Sequence, residues 1–424
     1  MFDGWRRNPL GMSGAWRTLV KWLFSSIRIL GFDLTASLIL FGLGAAWWSD
    51  LLHSPGWNPD GMQYQTGIAL VQMGRSPYEQ TIFPYPPTIA VLGAWISGIS
   101  GHELFRTIFR YANLLGGCAA VWGSVLFIRA PGWIKLVIAT LGVAFLPALS
   151  DGLENDNLSV LAGGLSILAL VFWQRLPIAM GIMLGFGLAL KPVAMAALFV
   201  LAAHRNPLFK REQALASLAA CASGGLLILL KPSYLLSAGS QPSIQAAVAD
   251  WASAVQNVSL FRVLASFGLE VSPFYILAAI VLGTIVYVRT RPLNPVQLLC
   301  VALTSSLLSL PIVWQHTLLL ITPVAITAAA FAVEDFKRVS KNPEGPQGRN
   351  IKLRSLTRLL LVVSGARVLL EANAFGVLAN WNPMVNGVAH LIPLTTLLLL
   401  TVFVVKHEDR RASGSPAGDL VHEP

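Results

Sequence analysis

Charged side chains are scarce in this sequence: Asp, Glu, Lys and Arg make up 12% of 424 residues, against 55% hydrophobic residues. A soluble domain carries roughly a quarter of its residues as charges, so the shortage excludes an ordinary water-soluble globule. Cysteine is nearly absent too. Cys118, Cys221 and Cys300 all fall inside apolar runs with no C-x-x-C spacing, which leaves them as small hydrophobes and excludes a disulfide framework. P-loop, G-x-G-x-x-G and H-E-x-x-H patterns are missing, so nucleotide hydrolysis finds no support. His, Cys, Asp and Glu nowhere fall at metal-ligand spacing, and neither a cofactor nor a metal is expected. An internal repeat of the kind that builds inverted-repeat transporters is missing as well.

What the chain has in abundance is apolar sequence of bilayer length. Runs at 33–49, 87–100, 104–128, 134–150, 157–173, 177–203, 213–230, 272–288, 295–313, 315–334, 356–376 and 386–406 predict an all-α polytopic membrane protein with about 12 transmembrane helices. The run at 87–100 is short and opens on Pro-Pro, so it reads as a half-helix or a tilted span. The run at 177–203 is interrupted by Lys191-Pro192 and reads as one kinked helix or a broken pair.

The net charge of +10 reflects cytoplasmic loops under the positive-inside rule, and no nucleic-acid partner is implied. Basic segments at 204–212, 289–291, 337–354 and from Lys406 onward are expected on the cytoplasmic side. The N-terminal stretch with Arg6, Arg7, Arg17, Lys21 and Arg28 reads as a retained, amphipathic segment against the inner membrane surface. By elimination 50–86, 231–271, the turn at 314–316 and 377–385 face outward. The segment 151–157 leans the same way. Polar chemistry is thus concentrated on the extracytoplasmic face of a multi-pass plasma (inner) membrane protein with both termini inside.

Asp60, between Pro59 and Gly61 in the first outer segment, suits either a general base at the membrane surface or the N-terminus of a short helix. Tyr64 follows one turn later and shares its face, and Tyr85 opens a Y-P-P that extends the chain before the next apolar run. Lys191 is an ionisable group at membrane depth, where a functional role is the default and its point charge suits a phosphate. Snorkelling is the structural alternative. Arg106 and Arg110, one turn apart, suit either a lipid phosphate or an interfacial snorkelling face. His316, at a polar break beside Trp314, suits donation to a phosphate or orientation of a hydroxyl. Arg367 and Glu371 fall one turn apart and read as a pair that neutralises itself.

In order along the chain these give Asp60-x-x-x-Tyr64, G-x-S-P-Y at 74–78, FPYPP at 83–87, GIMLGFGLALKPVAM at 181–195, QNVSLFRVLASFG at 256–268 and LPIVWQH at 310–316. The series resembles the polyprenyl-phosphate-mannose-dependent α-mannosyltransferase family of the GT-C glycosyltransferase superfamily, over roughly residues 30 to 335. The chain departs from that pattern in places. Asn257-Val258-Ser259 stands for Asn-Gln-Ser, Thr317 for a second His, Glu154-Asn155-Asp156-Asn157 for Gly-Gln-x-Asn, and Pro192 follows the lysine directly.

The resemblance implies a GT-C fold with a catalytic first extracytoplasmic loop. Its expected organisation is a cytoplasmic basic segment 1–32, a catalytic transmembrane module 33–334 with active-site loop 50–86 and second outer loop 231–271, a basic linker 335–355, C-terminal helices 356–406, and a cytoplasmic tail 407–424. It also implies transfer of a mannosyl or related residue from a polyprenyl-phosphate-linked sugar donor to a glycolipid or glycan acceptor, with inversion. Asp60 would be the base, and His316 and Lys191 would meet the phosphate. Tyr64, Tyr85 and Asn257 would line the sugar and acceptor pocket, with Arg106 a further contact. A transporter or flippase for a lipid-linked sugar is the alternative from another class. It needs no loop carboxylate and should tolerate Asp60→Asn.

Overall fold

The computed structural model describes residues 35–79, 83–128, 130–204, 209–234, 250–251, 254, 257–269, 271–291, 293–340, 345–370 and 383–412. The N-terminal basic segment, much of the second outer loop, Glu371 and the end of the tail lie outside the described residues.

The described chain is all-helical. Its elements are α1 (Thr35–Trp47), α2 (Ser49–Leu52), α3 (Pro59–Gln72), α4 (Pro87–Ser100), α5 (His102–Val125), α6 (Gly132–Phe145), α7 (Pro147–Glu154), α8 (Ser159–Phe172), α9 (Pro177–Leu190), α10 (Met195–Ala203) and α11 (Lys210–Ile228). Further along the chain come α12 (Leu260–Ser266), α13 (Pro273–Thr290), α14 (Pro295–Ser309), a 3₁₀ segment Gln315–Ile321, α15 (Thr322–Ser340), α16 (Gly345–Leu370) and α17 (Pro383–Ala412).

Among the described residues, two helices are long and apolar enough to cross a membrane, Gln315–Ser340 and Leu391–Arg410, and a third arises if the bent pair α6 and α7 is one span. Shorter apolar helices include α1, α4, α8, α9 and α14. Large apolar side chains such as Leu141, Phe145, Leu226, Leu282 and Leu399 face outward, as side chains in lipid do. Together these features are compatible with a helical membrane protein.

Proline sets the breaks. Pro147 bends α6 against α7 by 45°. Pro192 pushes Lys191 into extended backbone (φ −156°, ψ 120°), because the residue before proline avoids the α region. The run 177–203 is therefore a broken pair, α9 and α10. The run 87–100 is α4, whose 14 residues reach about 21 Å, short of the ~30 Å hydrocarbon layer. It packs on α3 and turns into α5 at Gly101, where φ is +81° and glycine alone is unstrained.

Close helix contacts are made by small residues. A Cβ on Gly164 of α8 would lie 2.0 Å from the Gly116 carbonyl oxygen of α5. Gly185 of α9 meets Ala220 and Ser223 of α11 in the same way, the small-residue packing typical of helices in lipid.

Residues 335–340, first read as linker, continue α15, and α16 begins at Gly345. Lys337 and Arg338 close the last turn of α15, where cations complement the helix dipole.

The two ends of α14 mark two poles. At its start, Asn294 and Gln297 form a capping box, and Gln297 reaches Asp409 at 2.7 Å while Asn294 reaches Glu408 at 2.8 Å. His407 bonds to Asp335 of α15 nearby, at 3.1 Å. Beyond its other end, Asn257 holds the strand of chain at 311–313. Among the described residues, the basic side chains Arg289, Arg291, Lys337, Arg338 and Lys406 belong to the chain at the first pole, and Asn257 with the chain at 311–313 lies at the second.

Candidate active site

The segment ahead of α3 is fastened to the turn after α7. Arg110, in the third turn of α5 and buried, donates to both carboxylate oxygens of Asp156 at 2.8 and 3.0 Å. Its remaining N–H groups reach the carbonyls of Ser54 and Gly56 at 2.7 and 2.9 Å. Asp156 also accepts the Asn58 N–H at 2.9 Å, just ahead of α3. With that many bonds the carboxylate sustains a positive φ of 55°, which costs a non-glycine residue about 1–3 kcal/mol. The snorkelling role considered for Arg110 is overturned, because its charge points inward and makes four hydrogen bonds.

This anchoring sets Asp60, in the first turn of α3, against Asn157. The Asn157 Nδ2 donates to the Asp60 carboxylate. On its other side the Asn157 Oδ1 accepts from Lys191 Nζ at 2.9 Å and from the Ser159 N–H at 2.8 Å. Lys191 stands on the unwound chain between α9 and α10, its ammonium 5.2 Å from the centre of the Tyr85 ring, a cation–π distance. It bonds to the amide rather than pairing with Asp60.

His316 opens the 3₁₀ segment. Its backbone N–H and its Nδ1 both meet Asp151 Oδ2, at 3.0 and 2.9 Å. Asn155 donates to the other Asp151 oxygen at 3.2 Å. Asp60, Tyr85, Asn157, Lys191, Asp151 and His316 all line a single cavity of about 640 Å³.

The turn at 74–78 has a definite task. The Tyr78 hydroxyl donates to the Tyr85 carbonyl at 2.8 Å and so fixes the Y-P-P at the cavity wall. Glu79 closes the same turn through the Ser76 N–H and Arg75, both at 2.9 Å. Those two bonds hold its carboxyl below the usual range.

Tyr64 is fully buried behind Tyr85, with ring centroids 4.7 Å apart, and its hydroxyl accepts the Leu158 N–H at 3.3 Å. Burial first, then Tyr85 and the Asp60 carboxylate, push its phenol well above the ordinary value. Burial, then Asp60, does the same to Tyr85. Both therefore remain protonated and neither serves as a base.

Three residues named from sequence do not line the cavity. Tyr64 supports Tyr85 from behind. Asn257 ties backbone together: it donates to the Pro311 carbonyl at 3.0 Å and accepts from Val313 at 2.8 Å and Ser259 at 3.1 Å, shaping the wall without lining the space. Arg106 closes on Glu103 three residues away. That local pair satisfies its charge and turns it from the cavity.

The residues that sequence reasoning missed are Asp151 and Asn157, with Asn155 beside them. Their signal was the polar run 151–157 between two apolar stretches. Among the described residues, no three His, Cys, Asp or Glu side chains converge as metal ligands would. Comparison of the chain with protein-family models, curated proteins and solved structures gave no match.

Proposed function

We propose that this chain is a GT-C membrane glycosyltransferase with about 12 transmembrane helices. It moves a mannosyl or related residue from a polyprenyl-phosphate-linked donor to a hydroxyl of a glycolipid or glycan. The observation that carries the reading is the convergence of Asp60, Tyr85, Lys191 and His316, from four distant segments, around one cavity.

The chemistry follows from the charges. The acceptor hydroxyl gives its proton to the Asp60 carboxylate as its oxygen attacks the anomeric carbon. The bond from that carbon to the phosphate oxygen breaks, and polyprenyl phosphate leaves with inversion. Lys191 and His316 meet the phosphate, whose charge grows as it departs.

Asn157 keeps base and cation apart. A direct Asp60–Lys191 contact at about 4 Å would be worth ~4 kcal/mol at an effective dielectric of ~20, which would neutralise both groups. The bridging amide leaves the carboxylate within reach of an acceptor hydroxyl and the ammonium open to phosphate.

The two poles support the orientation. The described cations Arg289, Arg291, Lys337, Arg338 and Lys406 lie towards one end and the cavity opens among Asp, Asn, Trp and Tyr at the other, which fits a cytoplasmic first pole and an extracytoplasmic site in a plasma (inner) membrane.

The test is transfer of radiolabelled mannose from polyprenyl-phosphate-mannose by the reconstituted protein beside Asp60→Asn. The expected result is label in a lipid or glycan product from wild type, with turnover lowered at least ~10²-fold in the variant and donor binding kept. Equal turnover by Asp60→Asn would sink the base assignment, and donor movement across vesicles without product would favour the flippase.

A further inference from the structure

The mechanism above leaves Asp151 unused, although it is the carboxylate that holds His316. Both the backbone N–H and the Nδ1 of His316 converge on one oxygen, Asp151 Oδ2, at 3.0 and 2.9 Å. The ring is thereby fixed in rotation and Nδ1 is committed. His316 lines the cavity, so Nε2 is the nitrogen left for a ligand. A neutral imidazole in this arrangement carries its proton on Nδ1 and presents a lone pair at Nε2, which repels an anionic phosphate oxygen. To bind phosphate, Nε2 must gain a proton.

Resting on the glycosyltransferase reading, we infer that donor binding draws one proton from water onto His316 Nε2, with Asp151 as the positioning residue that stabilises the resulting imidazolium. The bound state is then a row of alternating charge: carboxylate, imidazolium, phosphate. Each neighbour of the imidazolium is an anion at hydrogen-bond distance, the arrangement in which charge-assisted bonds are strongest. An asparagine at 151 could keep the geometry but would bring no charge.

The groups acting electrostatically on His316 are Asp151, Lys191 and Asp60. Of the helices packed against its turn, α7 carries Glu154 besides Asp151, and Glu154 accepts from the Ser150 hydroxyl; α8 carries no titratable side chain and α14 carries only Cys300. Arg110 of α5 is bound to Asp156, α15 keeps Glu334, Asp335, Lys337 and Arg338 in its C-terminal half, and α16 contributes Arg367 to its own last turn.

The test measures binding of polyprenyl-phosphate-mannose to the purified, detergent-solubilised chain without acceptor, from pH 6 to 9. The probe is a phosphodiester, so its own charge does not change over that range. One linked proton predicts affinity falling towards about tenfold per pH unit on the alkaline side. Asp151→Asn, checked for a folded monodisperse peak, is expected to bind weakly at pH 6 and to show a flattened slope. His316→Gln is expected to be flat, and it supplies the same readout should Asp151→Asn not fold.

Binding by wild type that is level across the range would overturn the inference alone, as would an unchanged slope in Asp151→Asn or His316→Gln. Failure of wild type to bind the donor at any pH would overturn the glycosyltransferase reading and this inference with it.

Discussion

Arg110 and Asp156 form a buried bidentate pair that ties the segment ahead of α3 to the turn between α7 and α8. The guanidinium also donates to the carbonyls of Ser54 and Gly56, so the pair is also the hub of a backbone network. Breaking such a pair from one side strands the other charge. Arg110→Met should therefore destabilise the protein by about 3–5 kcal/mol, read as a lowered midpoint of thermal unfolding in detergent. A shift equivalent to under ~1 kcal/mol would show that the network is not what seats the segment.

Asn157 keeps Asp60 and Lys191 apart, and its loss should let them meet. Asn157→Ala is expected to lower turnover about 10²-fold, the scale of a disabled general base, while the folded fraction stays near wild type. Steady-state kinetics beside a unfolding curve separates the two. Full activity in Asn157→Ala would mean the bridge has no part in keeping the base free.

Tyr78 acts at one remove, through the Tyr85 carbonyl. Tyr78→Phe should cost about 1 kcal/mol of stability and raise the KM for donor a few-fold as Tyr85 loosens, with kcat close to wild type. A change confined to kcat would contradict this positioning role.

The contact between α9 and α11 offers a matched comparison. A Cβ on Gly185 would come within 2.2 Å of Ser223 Oγ and 2.4 Å of the Ala220 carbonyl, whereas one on Gly225 meets nothing within 4 Å. Gly185→Ala should destabilise by about 1–3 kcal/mol. Gly225→Ala should be neutral or stabilising by up to about 1 kcal/mol, since alanine favours a helix. Equal effects at the two positions, measured by thermal unfolding, would refute the close packing.

Much of the site was legible because membrane depth makes certain residues conspicuous. Lys191 stands out against an apolar run, and His316 and Asp60 stand out at polar breaks; all three reach the cavity. Arg110 was equally conspicuous and was misread, because helical spacing shows where a cation sits along a span but not that Asp156, 46 residues on, waits inside. Asp151 and Asn157 were hidden in a polar run that also looked like an ordinary connection. Their roles depend on which residues oppose them, and no local pattern encodes that. Asn257 shows the reverse: a motif position whose polar side chain bonds to the backbone of residues 259, 311 and 313 and does not line the cavity. Helix length was legible only where no proline intervened, as the breaks at Pro147 and Pro192 show.

The turn at 156–157 binds two design problems into one. The positive φ of Asp156 aims neighbouring side chains apart, one at Arg110 and the next at Asp60. Robustness of the scaffold and placement of the proposed base are thus written in adjacent codons. An engineer who relaxes this turn to gain thermal tolerance also disturbs the carboxylate of Asp60, so the two properties cannot be tuned separately.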